Sequence, residues 1–323
     1  MQERRQDLQG KREYAARSAA ASELCMLCPR ECGADRRAGK KGVCHTSDEL
    51  LVARAALHMW EEPCISGTQG SGTVFFSGCS LGCIYCQNQE ISRGHSGKVI
   101  TVERLAEIFL ELQEKGANNI NLVTAGHYVP QVCAALLLAK RRGLCIPIVY
   151  NSSGYEKAET VRQLEGLVDI YLPDFKYMDG QLAQRYSQAA DYPQVAKAAV
   201  REMVRQCPVP VFDGQGLMQK GVIVRHLLLP GHVREAKAVV QYLYETYGDQ
   251  IYISMMNQYT PMAAAATQDP LLGRRVTARE YGRLLDFAAE LGVTQGFYQE
   301  GETAMESFIP PFDCEGVLPE QNT

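Results

Sequence analysis

The chain has 323 residues, 46% of them apolar, and its 33 Lys and Arg against 37 Asp and Glu leave a formal net charge of −4. That length serves one large domain with a small appendage, the charge offers no broad attraction to nucleic acid, and no apolar run reaches the roughly 18 residues of a membrane span. Residues 1–22 are charged and alanine-rich without the apolar stretch of a signal peptide, so they read as an N-terminal extension. The twelve cysteines then point to a reducing, cytoplasmic setting and metal sites rather than to disulfides.

Seven of those twelve cysteines fall in two groups. Residues 23–66 form a Cys-rich segment in which Cys25, Cys28, Cys32 and Cys44 are spaced Cys-x2-Cys-x3-Cys-x11-Cys, with Pro29, Gly33, Gly39 and Gly42 between them. Four thiolates so spaced close a tetrahedral zinc site or bind an auxiliary iron–sulfur cluster, and spacing does not choose between the two. His45 and Cys64 are spare ligand candidates.

Further on, the apolar strand Thr73–Phe76 runs into Ser77-Gly78-Cys79-Ser80-Leu81-Gly82-Cys83-Ile84-Tyr85-Cys86-Gln87-Asn88. A cubane [4Fe–4S] cluster takes four thiolates, one per iron. Three on one loop, Cys79, Cys83 and Cys86, leave one iron open to an exogenous ligand, as catalytic metal sites do. Gly78 and Gly82 let the backbone wrap closely around a bulky inorganic core.

After this loop, helix and strand alternate. Helix Val102–Lys115 carries an apolar face of period 3.6, with Thr101 as N-cap and Gly116 as its stop. Strand Ile120–Thr124, helix Pro130–Arg142, strand Ile146–Tyr150, helix Glu156–Leu164 and strand Val168–Leu172 follow. Two helices, Gln181–Gln188 and Val195–Gln206, precede strand Val222–Leu229, helix Val233–Tyr247, strand Ile251–Met255, helix Ala278–Glu290 and a short strand Gly296–Gln299. Nearly continuous apolar strands separated by helices mean a parallel sheet covered by helices. Six such units over residues 67–310 fit an α/β barrel short of the full eight, or a doubly wound sheet. Residues 311–323 form a C-terminal tail, and Cys133, Cys145 and Cys207 are small core residues.

The cysteine loop resembles that of the radical S-adenosylmethionine (SAM) enzymes, whose open iron is chelated by the SAM amine and carboxylate. Glu61-Glu62-Pro63-Cys64-Ile65-Ser66-Gly67, Val168–Lys176, Arg225–Gly231 and Asn257–Pro261 are similar to the activase-related branch, in particular to uncharacterised iron–sulfur homologues of pyruvate formate-lyase activating enzyme. The resemblance implies a partial (β/α)6 TIM-like barrel with cluster and SAM at the C-terminal strand ends. It also implies cofactor contacts from Tyr85, near the adenine, and from Thr124 and Gly126 after the second strand, where His127 stands in place of an acid for the SAM amine. Asn151 and Ser153 would follow the third strand near the ribose. Asp174 and Lys176 would lie by the SAM carboxylate with a monovalent cation. Arg225 and His226 alternate on the fifth strand, so only one of them faces the lumen; His226 is the expected lumen residue.

Such an enzyme reductively cleaves SAM to methionine and a 5′-deoxyadenosyl radical that abstracts a hydrogen from its substrate. By resemblance that substrate is a backbone glycine of a glycyl radical enzyme, with a flavodoxin- or ferredoxin-like protein as electron donor. Modification of a small molecule or of another polypeptide is the alternative. A non-catalytic electron carrier fits less well, because a carrier favours four protein ligands.

Overall fold

The strand stretches with the densest apolar residues are buried along their whole length, and the helices between them bury one face. The computed structural model describes residues 24–299 and 309–319. Its strands are β1 (Leu50–His58), β2 (Ser71–Phe76), β3 (Lys98–Ile100), β4 (Ile120–Val123), β5 (Ile148–Ser152), β6 (Ile170–Pro173), β7 (Val211–Phe212), β8 (Met218–Leu227), β9 (Tyr252–Met256) and β10 (Gly296–Tyr298). The helical returns include α1 (Val102–Glu114), α2 (Val129–Arg141), α3 (Ala158–Arg162), α4 (Gly180–Ser187), α5 (Tyr192–Gln206), α6 (Val233–Tyr247) and α7 (Ala278–Leu291). In α1, Leu105, Ile108, Phe109 and Leu112 are buried, and the Thr101 side chain accepts from the Arg104 amide at 3.1 Å, as an N-cap should.

Strands β2, β4, β5, β6, β8 and β9 lie side by side in parallel, and β10 adds to β9 in the same sense. With their helical returns they form the partial (β/α)6 architecture. The sheet curls on itself: Glu61 bridges Asn121 of β4, at 2.9 Å, and Arg225 of β8, at 3.2 Å.

Three strands were not legible in the sequence: β1, β3 and β7, the last antiparallel to β8. β1 pairs antiparallel with β2, and β3 antiparallel with β1. β1 is rich in leucine and alanine, which carry no strand signature, so its residues read as part of the Cys-rich segment; they belong to the sheet. The tail belongs there too. Cys314 N donates to Ala53 O, and Ala55 N donates to Glu315 O.

β5 begins at Ile148 rather than Ile146, because the Cys145 and Ile146 amides donate to the Gln113 side chain and Pro147 has no N–H to give. α3 keeps only the middle of its expected span, since Glu156 is drawn inward and buried. The expected N-terminal extension, residues 1–22, lies outside the described residues.

Candidate active site

Period-2 alternation brings polar side chains from neighbouring strands into one chamber. Asn151 and Ser153, Asp174 and Lys176, Arg225 and Leu227, and Ser254 and Met256 line a cavity of about 500 Å³ in the barrel lumen. Strand register aligns Arg225 with Ser254, and an isolated bridge pairs Asp174 with Arg225. Cys79, Tyr85, Cys83 and Cys86 form the mouth of the same cavity, together with Gly82 and Thr124.

The cysteine loop is held by hydrogen bonds to two of its thiols. The Leu81 amide donates to Cys79 Sγ at 3.4 Å, and the Ser187 hydroxyl donates to Cys83 Sγ at 3.0 Å. Gly82 sits at φ +70° with open space where a Cβ would be, so the loop presents no side-chain bulk at that point. Burial pushes the Cys79 thiol up, and burial followed by the neighbouring Cys83 and Cys79 pushes Cys86 up to about 12. Iron reverses that preference, since a coordinating thiol is deprotonated outright. Among the described residues no three Cys, His, Asp or Glu side chains converge closely enough to hold a metal without turning. The donor set and the open space at Gly82 fit a cluster once the thiol rotamers turn inward.

Tyr85 is buried beside the loop. Its hydroxyl meets Tyr177 at 2.7 Å, which meets Ser187 at 2.8 Å, so a chain of hydroxyls ends on Cys83. Asp174 lies between two cations: Lys176 Nζ donates to Oδ2 at 2.7 Å and Arg225 Nε to Oδ1 at 3.0 Å. Burial acts to raise the Asp174 pKa, but Lys176 and Arg225 outweigh it and hold the carboxyl below its ordinary value. Lys176 is held up in turn: burial acts against its charge, and Asp174 and Cys83 more than offset that. Arg225 also donates to Asn151 Oδ1 at 2.6 Å.

Thr124 has φ +60°, which a β-branched residue adopts only under constraint. Its amide is held by Asn151 O at 2.9 Å. Strain of this kind costs roughly 1–3 kcal/mol and collects at functional sites.

Two expected residues lie off the cavity. His226 points to the helix layer, where Nδ1 meets Phe175 O at 2.7 Å and burial drops its pKa to about 4; Arg225 is the lumen residue. Strand alternation permits one of the pair inside, and the ion pair with Asp174 decides which. Gly126 opens a 3-10 turn against Glu156, whose carboxylate oxygens stand 2.4 Å from where a Cβ would be. His127, beside it, is buried with Nε2 on Ser77 O at 2.9 Å and is not in a position to hold a ligand in the lumen. Glu61, Glu62, Ser254 and Gln258 also line the chamber and were missed. Of these, the glutamates carried a signal, two adjacent acids before Pro63 in an otherwise apolar stretch.

The first cysteine group packs behind the cluster loop. Cys32 and Cys44 Sγ both stand within 3.5 Å of the Cβ position of Gly42. Burial pushes the Cys28 thiol up to about 12, aided by Glu156, Cys44 and Cys25.

Residues 73–241 match the Radical SAM superfamily. An uncharacterised protein of Methanocaldococcus jannaschii is 27% identical over 271 residues, 82% of this chain and 74% of that relative. Among solved structures, Streptococcus suis SuiB bound to its precursor peptide SuiA aligns at TM-score 0.46 and 13% identity, over 69% of this chain and 46% of SuiB. Methylornithine synthase (PylB) aligns at TM-score 0.43 and 13% identity, over 65% of this chain and 59% of its own. The chain thus spans about half the length of these solved structures. The family implies SAM and a [4Fe–4S] cluster as cofactors, and the match covers the thiol loop together with most of the chamber wall. The chain belongs to the Radical SAM superfamily and is an enzyme.

Proposed function

We propose that Cys79, Cys83 and Cys86 hold a [4Fe–4S] cluster and that the chamber beneath them binds SAM and a substrate from which hydrogen is abstracted. The observation that carries this reading is the placement of all three thiols with Tyr85, Asn151, Asp174 and Lys176 on one cavity. When bound, cluster and SAM supply one electron and a carbon-centred radical. The chain's own residues bind, orient and exclude water. Lys176 offers a cation to the SAM carboxylate, Thr124, Asn151 and Ser153 offer hydrogen-bonding groups to the ribose, and Leu227 and Met256 line the wall as apolar residues.

The leading substrate is a polypeptide segment, specifically a backbone glycine of a glycyl radical enzyme-like partner, with a flavodoxin- or ferredoxin-like donor supplying the electron. Its support is Tyr298, which ends β10, lines the cavity and is 59% exposed. An exposed aromatic on the cavity wall suits a chain entering the barrel better than a sealed small-molecule site. A monovalent cation at Asp174 belongs to this reading only with Lys176 displaced from Oδ2. Exchanging potassium for a large organic cation slows turnover if the cation is used and leaves it unchanged if not. Cys25, Cys28, Cys32 and Cys44 hold a second, closed metal site, zinc or iron–sulfur, that braces the loop.

The deciding experiment is release of deoxyadenosine by anaerobically reconstituted protein with a strong reductant. The triple Cys→Ala variant at 79, 83 and 86 is expected to release none; release at the parent rate sinks the assignment. Hydrogen transfer from a deuterated glycine in a candidate partner tests the substrate.

A further inference from the structure

The floor of the chamber holds a carboxylate with one oxygen unanswered. Glu61 is answered on both oxygens: Asn121 and Asn151 donate to Oε1, at 2.9 and 3.3 Å, and Arg225 donates to Oε2 at 3.2 Å. Glu62, its neighbour, is 8% exposed and lines the cavity, yet its Oε2 has no hydrogen-bond partner among the described residues. The Asn121 Oδ1 acceptor, fully buried on the adjoining strand, is likewise unanswered. The Ser254 hydroxyl stands by Glu62 as a third polar group.

The charges do not balance. Glu61, Glu62 and Asp174 face Arg225 and Lys176, Arg225 is shared between Glu61 and Asp174, and Lys176 is spent on Asp174. His58, also on the cavity, is held towards its neutral form by burial and by Arg54. On formal charges one negative is left over, and it falls on the residue with the orphaned oxygen; burial raises the Glu62 pKa and Arg225 only partly opposes it, so without a further cation this acid is held towards its neutral form. Buried charges in proteins are paired or neutralised.

The place is not the cluster's. Glu62 enters from the connection that precedes β2, and the cysteine loop leaves from the other end of the same strand. The two enter the cavity from opposite ends of that six-residue strand.

We infer that the chamber floor receives a cationic hydrogen-bond donor of the substrate, an ammonium or guanidinium group, against Glu62 Oε2 with the Ser254 hydroxyl beside it. This rests on the cavity being the reaction chamber. It adds that the substrate carries a positive group opposite the end that faces the cluster, whether on a lysine or arginine of a polypeptide or on a free amine. Such a group supplies the missing charge and several N–H donors at once.

The test is calorimetric titration of the anaerobically reconstituted protein with n-butylammonium, butylguanidinium, 1-butanol and butyrate. Trp60, the chain's single tryptophan, lines the cavity and gives a fluorescence readout of the same binding. The two cations are expected to bind at least tenfold more tightly than the alcohol or the anion. Glu62→Gln keeps the shape and should remove that preference, and Ser254→Ala should weaken cation binding severalfold. Equal binding of cations and alcohol overturns the inference. So does a Glu62→Gln protein that unfolds at the parent temperature and keeps the preference; if that variant does not fold, the Ser254→Ala result decides. Mutual exclusion of butylammonium and SAM also overturns it, since Glu62 would then belong to the SAM site. A lysine peptide that binds more tightly than its norleucine counterpart and than butylammonium supports a polypeptide source, and equal affinity of peptide and amine supports a free amine. Failure of cation binding in a protein that still cleaves SAM removes only this inference, whereas failure of SAM cleavage removes the functional reading.

Discussion

The backbone amide of Cys79 donates to the carbonyl of Cys44 at 3.3 Å, so the last thiol of the first group and the first thiol of the second are joined through the main chain. Gly78, at φ +92°, makes the approach possible; a Cβ there would stand 2.6 Å from Cys44 O. Arg30 completes the junction. Its guanidinium donates to the carbonyls of Ser80 at 2.8 Å, Leu81 at 3.1 Å and Ser187 at 2.9 Å, and also to Gln188. The Cys-rich segment is therefore the back wall of the cluster loop.

Arg30→Ala leaves four loop carbonyls without their donor. Unanswered, partly buried acceptors cost roughly 1–3 kcal/mol in all if water reaches most of them. The variant should unfold at lower temperature and carry less iron per chain after reconstitution under identical conditions. Iron content equal to the parent's would mean the loop is shaped without this clamp.

Removing the first cysteine group should strip a metal without abolishing SAM binding. In the triple Cys79/Cys83/Cys86→Ala protein, elemental analysis is expected to find residual zinc or iron. Finding neither, with Cys25, Cys28, Cys32 and Cys44 all alkylated at ordinary rates, ends the case for a second site.

Asp174→Asn tests the ion-pair chain Lys176–Asp174–Arg225. The carboxylate lies in the cavity wall between two cations. Losing it leaves Lys176 without its partner and Arg225 with Glu61 alone, and breaking a buried pair costs about 3–5 kcal/mol. SAM cleavage should fall more than stability does, because Lys176 loses its anchor. The acid's folded pKa is below its unfolded value, so this contribution is present above the unfolded pKa and is lost as pH falls through the folded one. Acid titration of the parent and the variant reads the difference directly.

Glu156 runs the other way. Burial raises its pKa from 4.5 to about 8, against help to the charged form from Tyr150 and Ser152. The unfolded chain ionises this carboxyl first, so stability falls as pH rises between the two values, by at most about 1.4 kcal/mol per pH unit. Glu156→Gln should flatten the unfolding free energy across that window. An unchanged slope would assign it to other buried acids.

The sequence by itself determined the chemistry of the mouth. Cys79, Cys83 and Cys86 are close in the chain, and ligand spacing on one short loop does not depend on how distant strands meet. It also determined the (β/α) alternation, because apolar runs and a 3.6 period are local signals; α6 begins and ends where they place it. Tertiary structure decided the floor. Whether Arg225 or His226 faces inward depends on the Asp174 and Glu61 carboxylates across the lumen. That Glu62 Oε2 is left unanswered follows from the connection that brings it against the lumen, and β1 joins the sheet through pairing with β2 rather than through its own propensity. Local pattern specifies which groups are available, and only the closing of the sheet specifies which of them share a buried space and which charge is left without an answer.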